Sequence, residues 1–449
     1  LDVLDQIPSD RPAIIGPEGV SSFGALTAAA KELAPALRGR RLVLNTPDVS
    51  GAAVILAAAD GRAEAIALMS SRHNTSMLAP LMALVDADAV ISPNAESLLE
   101  AGLAAPVLAN LNQAAELRGS RRRRAPSGEA TRWIMTTSGT TSVPKLVQHS
   151  FSSLARTTRR DVDRGQGQIW GMVYDYTRFA GLQVMLQSLL SGACLAVPPG
   201  DAELDAQLGF LAEHGCTHLS ATPTLWRKIL MTPKANRLPL RQVTLGGEIA
   251  DETVLASLAN HYPQARISHI FASTEAGVGF SVSDKKAGFP AQYLVDPPLG
   301  IELKIEQGRL RVRNEGVGTE YLGGGGLLSD GGWVDTGDMV DVQGDRVYFK
   351  GRESGVINVG GNKVHPEEVE RAILSHPHVA MARVYPRFNP ITGALVAADV
   401  MATEDAPETL RTDLIRFLRG RLEKHAVPAV LRLTRDFVVN AAGKVERNA

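Results

Sequence analysis

The feature that most constrains the fold is a regular alternation of short apolar segments with segments of helical spacing. Residues 41–44, 64–69 and 87–91 read as strands, and residues 50–59 and 78–85 as helices. Parallel strands need long crossovers, and a helix is the crossover that satisfies its own backbone. The rhythm therefore predicts an α/β fold, a parallel sheet covered by helices. It resumes further on: Leu204, Leu208 and Leu211 sit at helical spacing, followed by a strand over 217–221 and the turn Thr222–Pro223–Thr224. Another strand, over 242–245, ends at Gly246–Gly247–Glu248. From about residue 300 short alternating strands take over (302–305, 309–312, 346–349), with glycines clustered at Gly323–Gly326 and Gly331–Gly332. Beyond Arg352 lies a small α+β unit. Pro366–Glu367–Glu368 opens a helix with the proline and acids suited to its first turn, residues 379–384 and 395–401 read as strands, and Leu410, Leu414, Phe417 and Leu418 form an apolar helix face. A boundary near Arg352–Ser354 divides the chain into residues 1–352 and 353–449.

Composition narrows the function by exclusion. The chain has 449 residues, of which 44% are hydrophobic, enough for two or three domains with a large core. Lys and Arg total 47 against 48 Asp and Glu, so no global field draws it to nucleic acid or to a membrane. The basic run of Arg118 and Arg121–Arg124 precedes Ala125–Pro126–Ser127–Gly128 without interleaved aromatics and reads as a solvated loop. The two cysteines, Cys194 and Cys216, lack metal-ligand spacing, and Cys194 has an apolar flank that suggests burial. Usage this sparse fits a reducing, cytoplasmic setting. No apolar run reaches transmembrane length and no signal peptide opens the chain, so membrane insertion is not expected.

Residues Thr136–Lys145 read Thr-Thr-Ser-Gly-Thr-Thr-Ser-Val-Pro-Lys, with six hydroxyl side chains in ten and a terminal lysine. They follow the strand-like Trp133–Ile134–Met135 and precede what reads as a helical pattern. Small residues let backbone amides approach phosphate oxygens, hydroxyls donate, and lysine supplies charge. The common nucleotide P-loop ends Gly-Lys-Ser/Thr, whereas Pro144 stands before Lys145 here. Taken alone, the segment reads equally as a polar surface turn.

Four further segments follow in order. Phe271–Ala272–Ser273–Thr274–Glu275 comes after an apolar strand, and Trp333–Val334–Asp335–Thr336–Gly337–Asp338 lies in the glycine-rich region. Gly351–Arg352 leads to Val359–Gly360–Gly361, and Asn440–Ala441–Ala442–Gly443–Lys444 stands near the C-terminus. In order and spacing the five resemble the adenylate-forming superfamily of acyl-CoA synthetases, nonribosomal-peptide adenylation domains and luciferases. That family's loop reads Thr-Ser-Gly-Thr-Thr-Gly-x-Pro-Lys-Gly. It is followed by Tyr-Gly-x-Thr-Glu, Thr-Gly-Asp, Gly-Arg with a glycine-rich segment, and a late Gly-Lys. The resemblance runs from about Pro12 to Arg447.

The resemblance implies a large N-terminal domain of parallel-rich sheets with a β-rich part, and a small mobile C-terminal α+β domain. It implies an AMP-forming carboxylic acid–CoA ligase using ATP, Mg2+ and CoA. Thr137, Ser138, Gly139, Thr140, Thr141 and Lys145 would hold the leaving phosphates, Thr274 would contact the α-phosphate, and Glu275 would bind Mg2+. Asp338 would accept from the ribose hydroxyls, and Arg352 would contact the nucleotide. Gly246, Gly247 and Glu248 with Phe271, Ala272 and Ser273 would line the adenine slot, Phe271 by stacking, although Phe271 reads equally as plain core. Lys444 would bridge carboxylate and α-phosphate, Ser354 would be the hinge, and Gly360–Gly361 would border a pantetheine tunnel. His365–Pro366 reads as the start of a helix rather than as a catalytic pair.

Departures from the family pattern are Ser142 and Leu146 at loop glycines, Ala272 at a third, and Gly355 where an acid is common. None removes a charged catalytic residue. In the acyl segment, Asp175–Tyr176–Thr177–Arg178–Phe179–Ala180–Gly181–Leu182 resembles a family stretch ending Phe-His-x-x-Gly-Leu, with Thr177 and Arg178 at the phenylalanine and histidine. Tyr176, Arg178, Phe179, Thr222, Ala276 and Gly277 are the pocket candidates. Arg178 either pairs with a second carboxylate or polar ring substituent, or bonds to backbone without touching substrate. The alternatives in function are loading of an acyl or aryl carrier protein and a non-catalytic nucleotide-binding relative. Retention of Lys145, Glu275, Asp338, Arg352 and Lys444 speaks against the latter. Expected partners are a small carboxylic acid, ATP and CoA, in a monomer or homodimer.

Overall fold

A computed structural model describes residues 2–72, 74–100, 102–103, 105–108, 113, 130–137, 144–314, 318, 320–324, 326–328, 331–389 and 393–437. The loop residues Ser138, Gly139, Thr140, Thr141 and Ser142, and Lys444 near the C-terminus, lie outside the described residues.

The predicted βαβ rhythm forms two sheets. In the first, the strands Arg132–Thr136, Ala65–Leu68, Arg41–Leu44, Ala89–Ile91 and Val107–Leu108 run parallel in that spatial order. The side chains of Ala65–Leu68 and Ala89–Ile91 are buried throughout, as the interior of a two-sided parallel sheet requires. The second sheet has a parallel core of Arg266–Ser273, Gln242–Gly246, His218–Ala221, Ile169–Gly171, Cys194–Ala196 and Pro12–Gly16, closed by an antiparallel strand at either edge. The helices Phe23–Leu37, Val49–Ala59 and Phe179–Leu190 share one apolar core with strands of both sheets, including Leu44, Trp133, Ile14 and Leu195. Both cysteines are buried free thiols. Among the described residues no helix is long and apolar enough to cross a membrane.

Antiparallel structure dominates the later chain, as its alternation predicts. Five strands between Phe289 and Arg352 form a third sheet with its own apolar core around Phe280, Phe289 and Val347. Residues from Ile357 to Leu431 build a further core of Val384, Val400, Leu410, Leu414 and Leu418, in which the Pro366–Leu374 and Leu410–Arg419 helices pack on a small sheet.

One expectation is corrected. The segment after the hydroxyl-rich loop is a strand, Leu146–His149, antiparallel to Arg132–Thr136 with Thr136 opposite Leu146. The helix begins only at Phe151, after Ser150 has capped it by accepting from Ser153 N at 3.1 Å. The reason is pairing: the strand joins Arg132–Thr136 on one side and Glu320–Leu322 on the other, which outweighs local helical spacing. The loop is thus the connection of a hairpin, unlike the strand-to-helix passage of a P-loop.

The Phe179–Leu190 helix approaches its preceding segment closely. A Cβ on Gly181 would lie 2.2 Å from the Asp175 carbonyl oxygen. Gly181→Ala is expected to lose about 1–3 kcal/mol of stability, read as a lower urea midpoint at unchanged m-value.

Candidate active site

A cavity of about 760 Å³ opens where strands of both parallel sheets end, and runs back along one face of the larger sheet. Ligand sites in such sheets gather at the carboxyl ends of strands. Its floor is set by strand alternation: His218 and Ser220 on one strand, with Thr222 just past its end, and Ser268, Ile270 and Ala272 two strands away. Its roof is the Phe179–Leu190 helix, which presents Phe179, Gln183 and Gln187 at a four-residue spacing.

Around the carboxyl-end mouth the structure gathers much of the predicted constellation. Thr137, Gly246, Gly247, Ala272, Ser273, Thr274, Glu275 and Arg352 all line it, although they come from four separate stretches of chain. The neck of the hydroxyl loop is closed by Thr137 N donating to Lys145 O at 2.8 Å and Lys145 N donating to Thr137 Oγ1 at 3.1 Å. Thr274 and Glu275 occupy a hairpin turn whose backbone is pinned from several sides. His149 Nε2 donates to Thr274 O at 2.7 Å, Gly318 N to Glu275 O at 2.9 Å, and Asn314 Nδ2 to Ala276 O at 3.1 Å. A carbonyl only accepts, so Nε2 carries the hydrogen, and Nδ1 accepts from Ser153 Oγ at 2.9 Å. Burial lowers the pKa of His149, opposed by its bond to Thr274. Asp338 and Arg352 face each other across an antiparallel pair, 3.4 Å apart as an ion pair.

Tyr321 was not among the sequence candidates. Its ring lies under Lys145, whose Nζ is 4.7 Å from the ring centroid, and its hydroxyl bonds to Glu275. Burial, and then the Glu275 carboxylate, push the phenol up to about 12, so at neutral pH it is the donor. A tyrosine before a run of glycines carries no distinctive local signal, and only the pairing of Glu320–Leu322 with Leu146–His149 brings it here.

Several candidates stand elsewhere. The Phe271 ring stacks with Phe280 and Phe349, centroids 5.3 Å away in each case, and is not among the cavity-lining groups. A Cβ on Gly279 would meet that ring at 2.9 Å, so the strand pair is shaped around it. Of the two readings of Phe271, core packing is the one its contacts match. Tyr176 is buried in the main core with its hydroxyl donating to Thr46 O at 2.9 Å, and Ala276 is buried against the β-rich core. Glu248 accepts from Thr224 N at 2.9 Å at the start of the Pro223–Leu230 helix. Gly277 has φ +68° and follows the turn without lining the cavity. Ser354 is exposed in a short 3-10 turn. Gly360 and Gly361, with φ +58° and +90°, form the two-residue turn of a hairpin, and that turn by itself calls for both glycines. His365 stands at the N-cap position of the Pro366–Leu374 helix without a side-chain capping bond, so the helix starts there as expected.

Of the acyl-pocket candidates, Arg178, Phe179 and Thr222 line the cavity. Burial lowers the Arg178 pKa, against the pull of Asp175. Reasoning from sequence missed Trp170, Tyr174, Gln183, Thr244 and His218 on the same walls. The alternation His218-x-Ser220-x-Thr222, polar where a buried strand is usually apolar, was the available signal.

A family model described as AMP-binding enzyme matches residues 4–328, and a second, AMP-binding enzyme C-terminal domain, matches residues 368–444. The chain belongs to the adenylate-forming, AMP-binding enzyme family. Among relatives of this AMP-binding enzyme is a dimodular nonribosomal peptide synthase of Bacillus subtilis, 26% identical over 71% of the chain and 15% of the relative. Another is a 3-methylmercaptopropionyl-CoA ligase of Ruegeria pomeroyi, 28% identical over 69% of the chain. The chain spans 63% of the length of that ligase. A solved anthranilate CoA ligase in complex with anthranoyl-AMP shares the fold, with TM-score 0.83, 18% identity, and coverage of 99% of this chain and 95% of that one.

His149, His218 and His269 are each held neutral chiefly by burial, His218 down to about 4 with Arg241 and Arg164 adding to the effect. Unfolded, each binds a proton near pH 6.5. Their contribution to stability is complete above that pH and is lost as pH falls towards the folded values. The urea midpoint should therefore drop between pH 7.5 and 5, and His218→Gln should flatten the drop. An unchanged slope in that variant would remove His218 from the account.

Proposed function

We propose that this chain is an AMP-forming carboxylic acid–CoA ligase acting in the cytoplasm. It joins a carboxylate oxygen to the α-phosphorus of ATP with loss of pyrophosphate, then lets the CoA thiol displace AMP from the acyl carbon. The observation that carries the reading is the meeting of Thr137, Thr274, Glu275 and Arg352 at one cavity mouth.

Bringing a carboxylate to a polyphosphate sets two anions against each other, so fixed donors and cations must precede the attack. The hydroxyl loop and Lys145 hold the leaving β- and γ-phosphates, while Thr274 donates to the α-phosphate. Asp338, steadied by Arg352 at 3.4 Å, accepts from the ribose hydroxyls. Gly246, Gly247, Ala272 and Ser273 border the base. Tyr321 is a positioning residue that keeps Lys145 and Glu275 apart and oriented. Among the described residues no group of three or more His, Cys, Asp or Glu could hold a metal by itself. A single carboxylate, Glu275, fits a Mg2+ that arrives on nucleotide phosphates, since Mg2+ keeps several waters and takes one or two protein carboxylates. When bound, that ion neutralises phosphate charge. Lys444 contacts the acid and α-phosphate in the first step. Rotation of residues 353–449 about Ser354 then withdraws it and brings Gly360–Gly361 beside the thiol.

A second reading, loading of an acyl or aryl carrier protein, is favoured by the match to a nonribosomal peptide synthase. Both acceptors present a phosphopantetheine thiol, and a panel of carboxylic acids assayed for pyrophosphate release separates them. One acid class should release pyrophosphate, and adding CoA should convert it to a thioester. Transfer to a pantetheinylated carrier protein with CoA inert would select the second reading, and no exchange with any acid would sink both.

Lys444→Ala should lower acyl-adenylate formation by about 10²-fold or more, the scale of losing one charge-stabilising donor. Thioester formation from preformed acyl-adenylate should persist. Equal loss of both half-reactions would contradict the withdrawal of Lys444 between them.

A further inference from the structure

The cavity does not end at the acyl segment. It continues along the sheet to the amino ends of the strands, where Arg159, Arg164, Arg241 and Arg266 line a second mouth. They come from separate stretches: Arg164 from the short Val162–Gly165 helix, Arg241 from just before the Gln242–Gly246 strand, and Arg266 from the start of its neighbour. Arg164 and Arg241 both act electrostatically on His218, which stands between the two mouths on the floor.

The charge along this cavity is one-sided. Six arginines line it, with Arg178 and Arg352 towards the first mouth, against the carboxylates of Glu275 and Asp161. Asp161 caps its own short helix by accepting from Arg164 N at 3.0 Å. Arg266 donates to Ser283 Oγ at 3.0 Å. Among the described residues none of the four rim arginines lies within 4.0 Å of a carboxylate. Elsewhere in the chain arginines at strand starts are paired, as Arg41 is with Asp86 and Arg346 with Asp284. Between the mouths the wall is aromatic and amphipathic, with the Trp170 and His218 rings 4.8 Å apart and Phe179 across from them on the roof.

We propose that the acid activated here is elongated and carries a second carboxylate, bound at the far mouth by Arg164 and Arg241. The planar guanidinium matches a carboxylate bidentately, and the ring-lined stretch accommodates an apolar spacer. Four residues separate His218 from Thr222, and at about 3.3 Å per residue that part of the floor alone spans roughly 13 Å, so the two anionic ends are at least about that far apart. This inference rests on the adenylation reading, because that reading puts the reacting carboxylate at the first mouth.

The test is ATP–pyrophosphate exchange with α,ω-dicarboxylic acids of graded length and monocarboxylic acids of matched length, on the whole chain. Diacids of the spanning length should be preferred by about tenfold in kcat/KM, the scale of charge-assisted bonds near a surface, and the preference should lie in KM. It should shrink at high salt, as exposed charges are screened. In the Arg164→Gln, Arg241→Gln double variant it should disappear while the KM for ATP holds. Equal use of monoacids and diacids, or a preference that survives the double substitution, would overturn the proposal. Exchange with no acid at all would instead fail the adenylation reading. Calorimetric titration of the same diacids without ATP then decides the anion site: tighter binding than the matched monoacid, lost in the double variant, upholds it, and equal binding refutes it.

Discussion

The bond from His149 to the Thr274 carbonyl joins the two parallel sheets at the point where the site is assembled. His149 ends a strand of the seven-stranded sheet, and Thr274 begins the turn that leaves the eight-stranded one. A neutral buried hydrogen bond contributes only about 1 kcal/mol net, but leaving either partner unsatisfied costs about 1–3 kcal/mol. Its weight is therefore geometric. It sets how far the strand entered at Lys145 stands from the turn that carries Thr274 and Glu275. Ser153, by donating to the other ring nitrogen, holds the imidazole in the tautomer that this bond needs.

Around that tie the polar groups are organised in pairs that lock one another. Tyr321 lies between Lys145 and Glu275, with its ring under the cation and its hydroxyl bonded to the anion. Arg352 and Asp338 are paired across a strand, so the arginine that lines the cavity and the proposed ribose acceptor are held in one register. Preorganisation of this kind is what the proposed reaction between two anions would demand, since donors that had to reorient during the attack would forfeit their advantage.

The architecture was largely legible before any coordinates. Buried parallel strands such as residues 65–68 announce themselves as continuous apolar runs, and the change to alternating strands near residue 300 marks the antiparallel part. That Thr137, Thr274, Glu275 and Arg352 belong to one constellation was also legible, because their motifs stand in a characteristic order and spacing. The strand over Leu146–His149 was not. Four residues carry too little periodicity to separate helix from strand, and two neighbours distant in sequence settled the question by pairing with it.

What the sequence determined by itself was the fold class, the order of its parts and the family, because each depends on residue type at local spacing. Only the tertiary structure decided which side chains face the cavity. Phe271, Tyr176 and Glu248 lie close in sequence to lining residues yet turn into the core or onto a helix start. Trp170, His218, Tyr321 and the arginine rim, which belong to none of the motifs, meet around the site. Strand alternation assigns residues to two faces, but which face becomes the wall depends on where a helix such as Phe179–Leu190 packs, and that is settled by contacts across the whole chain.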